Sequence, residues 1–146
     1  MSIKSISRKE FISISQDASI KEVAGIMASR NVGSVVVVED GKPVGILTDR
    51  DIVVRLVNKG INPSEVKVSE LMTKDPICLQ EDLGIFEALE IVKQEGVRRY
   101  PVVDKDEKMT GIVSLDDIVY LIGKEMCDIS NIIVKASPNL WKSLYW

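Results

Sequence analysis

The sequence predicts a mixed α/β (α+β) fold made of two repeated units, each running strand, helix, strand, strand, helix. Three observations predict it. The chain of 146 residues is similar to itself at a nearly constant offset, the signature of a duplicated structural unit. Each copy carries apolar residues at helical spacing, and each then carries a continuous β-branched or apolar run that ends in turn residues.

The repeat comes first. ISISQDASIKEVAGIM begins at Ile12 and ICLQEDLGIFEALEIV at Ile77, and Asp17/Asp82, Ile20/Ile85, Glu22/Glu87 and Ile26/Ile91 all stand 65 positions apart. After one extra residue in a turn the offset becomes 66, which pairs Gly45 with Gly111, Thr48 with Ser114 and Asp51 with Asp117.

Each element then follows. Ile20, Val23, Ala24 and Met27 form one apolar helical face, and Ile85, Ala88, Leu89 and Val92 repeat it. The run Val35 to Val38 reads as a buried strand, with Tyr100 to Val103 as its counterpart. Turns follow at Asp40-Gly41-Lys42-Pro43 and Lys105-Asp106-Glu107. Strands over 44–48 and 109–114 feed a second helix in each copy, with Gly60 and Gly123 placed as helix stops. The division is 7–60 for the first copy, 61–75 for a linker and lead-in, 76–125 for the second copy, and 126–146 for a C-terminal tail with Trp141, Tyr145 and Trp146. A single copy has a marginal core, and two packed together share a larger one.

Composition narrows the function. With 45 % hydrophobic and 28 % charged residues the chain reads as an ordinary globular protein. The net charge of −3 disfavours capture of nucleic acid or of an anionic membrane. No apolar run reaches the length of a bilayer span, and MSIKSISRKEF lacks the apolar stretch of a signal peptide, so a cytoplasmic location is expected. Histidine is absent, which removes the usual triads, the His-containing zinc sites and the commonest general base. Cys78 and Cys127 are too few for a disulfide framework and read as reduced thiols. No GxxxxGK[ST] loop, GxGxxG turn or CxxC pair occurs. No catalytic residue, metal or catalytic cofactor is therefore assigned, and no enzymatic activity is expected.

The chemistry sits in GILTDRDI and GIVSLDDI. Thr48 and Ser114 stand where N-caps stand, and an acid three residues on suggests a capping box. That box prefers Glu or Gln, and the shorter Asp51 and Asp117 can instead point outward as free acceptors. A carboxylate accepts from both hydroxyls of a ribose. A helix N-terminus offers N–H groups to a phosphate. Residue chemistry alone leaves capping and binding both open.

The doubled pattern of apolar helix, Val-rich strand, G-h-h-[ST]-x-x-D and second helix resembles the cystathionine-β-synthase-type (CBS) domain family. SELMTKDP before the second copy resembles that family's lead-in, and the likeness runs from Ser7 to Lys124. It implies two copies packed with pseudo-two-fold symmetry and clefts for an adenosine-containing ligand such as AMP, ADP, ATP or S-adenosylmethionine. On that reading Asp51 and Asp117 hold the ribose, Thr48 and Ser114 bind near ribose or phosphate, and Ile12 and Ile77 flank the base. Arg50, Arg98 and Arg99 are the candidate phosphate ligands. The copies are not equivalent. Gly33 and Ser34 stand where the second copy has Arg98 and Arg99, and Arg50 stands where it has Asp116. The resemblance also implies a homodimer built through helices, with Ile26 and Ile91 as added apolar surface, and an effector protein in trans. The alternatives are a ligand-free oligomerisation or interaction module and, further off, a nucleic-acid-binding CBS protein.

Overall fold

The computed structural model describes residues 1–137. In chain order the elements are α1 (Ile3–Ile6), β1 (Ser13–Ile14), α2 (Ile20–Arg30), β2 (Ser34–Glu39), β3 (Lys42–Thr48), α3 (Asp49–Arg55), α4 (Val68–Leu71), β4 (Thr73–Lys74), β5 (Leu79–Gln80), α5 (Ile85–Val92), β6 (Arg99–Val103), β7 (Met109–Ser114) and α6 (Leu115–Ala136), with a 3-10 turn at Val57–Lys59 after α3. The expected order thus occurs twice, as β1-α2-β2-β3-α3 and β5-α5-β6-β7-α6. The aromatic residues Trp141, Tyr145 and Trp146 lie outside the described residues.

The two sheets are built alike. β1 runs parallel to β2 and β2 antiparallel to β3, and β5, β6 and β7 repeat this. The register shift falls between Val37 and Val38 in one copy and between Val102 and Val103 in the other. The first hairpin turns on Asp40 and Gly41, both at positive φ (49° and 78°), the two-residue geometry that matches strand twist and favours Asp-Gly. Lys42 and Pro43, expected in the turn, therefore belong to β3. The two hairpins meet across the molecule: Met109 N–H donates to Gly41 O at 2.8 Å, and Lys42 pairs with Glu107 at 3.0 Å.

Each lead-in packs on the other copy. β4, which precedes the second copy, adds to the first sheet beside β3, pairing Thr73 with Ile46. Correspondingly, Arg8, in the stretch that leads into β1, exchanges two backbone hydrogen bonds with Ile112 of β7, at 2.8 and 3.0 Å. Val68 of α4 is fully buried in the first core, and Ile3 of α1 in the second. This reciprocal crossing is the pseudo-two-fold relation seen in contacts. It also explains the glycine of the motif. A Cβ on Gly111 would lie 2.8 Å from Arg8 O, and one on Gly45 would overlap Met72 and approach Thr73 O to 3.2 Å. Both glycines are needed for close approach of a crossing strand.

Two expectations about helix faces change. Ile20, Val23 and Met27 are buried as expected, but Ala24 is exposed, and Ile26 takes its place against the first core. Ile26 is therefore partly buried against the first core, because the helix presents Val23, Ile26 and Met27 to the sheet. Its repeat partner Ile91 stays exposed. Gly60 does end the 3-10 turn, at φ 66°. Gly123 does not end its helix, since α6 runs through it to Ala136 and carries the exposed Cys127. The boundary expected at 125 falls inside this helix. Glycine lowers helix propensity by only about 1 kcal/mol, too little to stop a helix that long.

Candidate functional site

Thr48 and Ser114 have extended backbones, φ near −115° and ψ near 158°, which end their strands and aim their N–H groups at the next turn. Each hydroxyl accepts from the N–H of the aspartate three residues on, at 3.1 Å from Asp51 and 3.2 Å from Asp117. Each aspartate reaches back. Oδ2 of Asp51 accepts from the Thr48 N–H and hydroxyl, both at 2.9 Å, and Oδ2 of Asp117 from the Ser114 N–H at 2.9 Å and its hydroxyl at 2.6 Å. The expectation of an outward carboxylate is thus corrected. The extended N-cap backbone brings its N–H close enough for Asp to complete the capping box, and only Oδ1 is left for anything else.

The two Oδ1 atoms have different partners. That of Asp51 lies 3.4 Å from Nη2 of Arg55, one turn along the same helix. Arg55 is also tied to the second lead-in, donating to Leu71 O at 3.0 Å. Oδ1 of Asp117 accepts from Nε and Nη2 of Arg8 at 3.1 and 2.6 Å. Burial pushes the Asp117 carboxyl up, but hydrogen bonds from Ser114 and Arg8 outweigh it and hold the group below the usual carboxylate range.

One cleft, of ≈ 230 Å³, joins the copies at Asp117. The first copy supplies Phe11, Ile12, Asn31, Val32, Gly33, Ser34 and Val36, and the second supplies Arg99, Ile112, Ser114, Asp116 and Asp117, with Arg8 and Glu10 from the first lead-in. A second cleft, of ≈ 210 Å³, is its counterpart by the repeat: Ile77 for Ile12, Val97 for Val32, Ile46 for Ile112, Thr73 for Arg8 and Asp75 for Glu10, together with Pro76, Glu95, Arg99 and Tyr100.

The structure therefore brings four of the nine sequence candidates, Ile12, Arg99, Ser114 and Asp117, into one cleft, and Ile77 with the same Arg99 into the other. Thr48 and Asp51 cap α3 outside the second cleft's lining, and Arg50 is exposed and lines neither cleft. Arg98 lines neither as well. It donates to Asp116 at 2.7 Å, so the cation and the acid that distinguish this copy offset each other. Sequence reasoning missed Arg8. Its signal was present, because Ile3, Lys9 and Glu10 stand 65 positions before Val68, Lys74 and Asp75, so the repeat extends into the lead-in. Among the described residues no cluster of three His, Cys, Asp or Glu is placed to hold a metal, and no helix is long and apolar enough to cross a membrane.

A duplicated α/β unit with crossed lead-ins and a cleft between the copies defines a tandem-repeat module. The chain belongs to the CBS domain family, whose model matches residues 3–58 and 68–124. It is 37 % identical over 120 residues to the uncharacterized protein MK0525 of Methanopyrus kandleri, covering 82 % of this chain and 61 % of that one. It is 36 % identical to 21 % of the inosine-5′-monophosphate dehydrogenase of Methanocaldococcus jannaschii, over 76 % of this chain. It thus spans less than two thirds of either protein. Among solved structures it resembles the CBS domain pair of protein MJ0100 in complex with 5′-methylthioadenosine and S-adenosyl-L-methionine, with a TM-score of 0.74 and 29 % identity over 86 % of this chain and 98 % of that one. A hexameric CBS-CP12 protein from bloom-forming cyanobacteria, at 21 % identity and a TM-score of 0.72 over 94 % of this chain and 86 % of that one, shares the fold.

Proposed function

We propose that this chain is a regulatory module that senses an adenosine-containing ligand, AMP, ADP, ATP or S-adenosylmethionine, and signals to a partner protein as a homodimer. One observation carries the reading. The apolar wall of Phe11, Ile12, Val32 and Val36 and the polar pair Ser114 and Asp117 line one cleft, from opposite copies. A purine fits the first and a ribose the second. Ligand binding then ties the two copies together, which is how occupancy changes the surface that a partner reads. The sites are proposed as Asp117, Ser114, Ile12, Arg99 and Arg8 for the main cleft, with Ile77 and Arg99 in the second. The adenosine derivatives bound to the MJ0100 relative, 5′-methylthioadenosine and S-adenosyl-L-methionine, support this choice of ligand class.

The second cleft is proposed as the weaker. Thr73 replaces Arg8 there, which leaves Arg99 as the one cation in its lining, and α3 has only seven residues behind its N-terminus. A ligand-free interaction module is the competing reading, favoured by one fact: Arg8 already satisfies Asp117 from within the chain.

A melting series with AMP, ADP, ATP, GTP and S-adenosylmethionine tests the proposal. An adenine ligand at one hundred times its dissociation constant adds about 2.7 kcal/mol, a rise of roughly 5–15 °C in Tm. Equal shifts with GTP, or none with any ligand, would remove the adenine-sensor reading.

A further inference from the structure

The two clefts share one residue. Arg99 opens β6 and lines both of them. Its counterpart by the repeat is Ser34, 65 positions earlier, which opens β2 and lines the main cleft but not the second. Each stands beside the N-cap of its own copy, Ser34 opposite Thr48 and Arg99 opposite Ser114. Arg99 is thus on the wall of the second cleft, with Val97 and Tyr100, and also beside the cap of the main one. A serine at this position is too short to serve two clefts, whereas a guanidinium on a long, exposed stem reaches both. Arg99 is also uncommitted. Arg8 is held by Asp117 and Arg98 by Asp116, while among the described residues no carboxylate pairs with Arg99.

We propose that Arg99 is a single phosphate ligand shared between the two clefts, so that a nucleotide in either cleft lowers the affinity of the other for a second nucleotide. The inference rests on the adenosine-ligand reading of the clefts and adds a coupling between them. A guanidinium is planar and meets a phosphate with two parallel N–H donors. Turned to one cleft, that fork is turned away from the other. With a nucleotide in the main cleft, the second cleft keeps only carboxylates, Asp75 and Glu95, as charged groups in its lining. Loss of charge-assisted hydrogen bonds weakens phosphate binding there at least about tenfold, and the coupling is reciprocal. Adenosine carries no phosphate, makes no use of Arg99 and stands outside the coupling. The chain therefore accepts one nucleotide and one uncharged nucleoside more readily than two nucleotides.

The test is calorimetric titration of the full chain with AMP and with adenosine. In wild type AMP is expected to bind in two steps. Arg99→Ala is expected to weaken the first step at least about tenfold and to leave the second within about twofold, because in wild type the first ligand has already taken the cation. Adenosine is expected to lose less than about twofold. Arg50→Ala, which removes an exposed cation outside both clefts, is expected to leave both AMP steps unchanged. Ile12→Trp places an indole in the main cleft from a half-buried position, with Ile12→Phe as the milder plug. The second cleft of the plugged chain is expected to bind AMP at least about tenfold more tightly than the second step of wild type, and to lose that gain in I12W/R99A. Equal weakening of both steps by R99A, weakening of neither, or an I12W affinity equal to the wild-type second step would overturn the sharing, with adenosine binding intact. Absence of binding by both ligands would overturn it together with the sensor reading.

Discussion

Arg8 donates to Oδ1 of Asp117 through both Nε and Nη2, at 3.1 and 2.6 Å, across a sequence separation of 109 residues. The other oxygen of the same carboxylate is committed to the N-cap of α6. A ribose that seeks this aspartate must therefore share or displace Arg8, and a phosphate in the cleft offers the guanidinium a new partner.

Replacing Arg8 by Ala is expected to separate these effects. The ion pair is largely exposed on the arginine side, so removing the competitor is worth at most about 1 kcal/mol, a two- to fivefold gain in adenosine affinity. AMP gains less or loses, because the cation is gone as well. Calorimetric titration of both ligands into wild type and R8A reads the ratio. An equal loss for both ligands would mean that Arg8 contacts the nucleoside rather than competing for Asp117.

The crossed lead-ins make a signed prediction about glycine. Gly111→Ala places a methyl 2.8 Å from Arg8 O, a backbone atom with little room to give, and is expected to cost roughly 1–3 kcal/mol. Gly25→Ala, in the middle of α2 with nothing within 4 Å, is expected to stabilise by about 0.5–1 kcal/mol. Urea denaturation of the two variants checks both signs. A neutral G111A would show that the lead-in is not held against β7.

Asp117 predicts a pH dependence. Its folded pKa lies below the ordinary value, so its ionised form stabilises the fold above about pH 4, and that contribution is lost as pH falls through the lowered value. The Glu22 and Glu81 carboxyls are also held low, by hydrogen bonds from Ser19 and from Lys4, but they are common to wild type and D117N and cancel in the difference. The gap in Tm between the two proteins should be widest near neutrality and shrink as pH falls below 4. A gap that holds constant to pH 2.5 would contradict the assignment.

Ile26 and Ile91 are equivalent in the repeat but not in place. Ile26→Glu places a charge on a partly buried position packed against the first core and is expected to cost about 1–3 kcal/mol. Ile91→Glu, on an exposed position, is expected to stay within about 0.5 kcal/mol of wild type. Thermal melts of the two variants decide it, and equal stability would mean that α2 does not pack as described.

The duplicated unit was legible because its signal is redundant: paired helix faces, paired buried strands and two copies of one motif at a fixed offset. The sheets followed, since a run such as Val35 to Val37 has no other use than a strand buried on both faces. The crossing of the lead-ins was not legible, because α1 and α4 have four residues each, too few to show a period, and each packs on the copy it does not precede. Gly60 and Gly123 look alike as letters, and only φ tells a helix stop from a helical glycine. The aspartates were misread for a related reason. Whether Asp reaches an N-cap depends on the backbone angles of Thr48 and Ser114, which residue type does not state. Arg8 acquires its meaning from a contact more than a hundred residues away.

On the proposed function the cleft between Ile12 and Asp117 holds an adenosine ligand through Oδ1 of the aspartate, the oxygen that Arg8 occupies in the unliganded chain. Calorimetric titration of the best adenine nucleotide into wild type, D117N and D51N tests it most directly. Loss of one charge-assisted hydrogen bond, worth about 1.5–3 kcal/mol, predicts at least tenfold weaker binding in D117N, with D51N close to wild type at the tighter site. Wild-type affinity in a folded D117N protein would contradict the account and leave Asp117 as a helix cap held by Arg8.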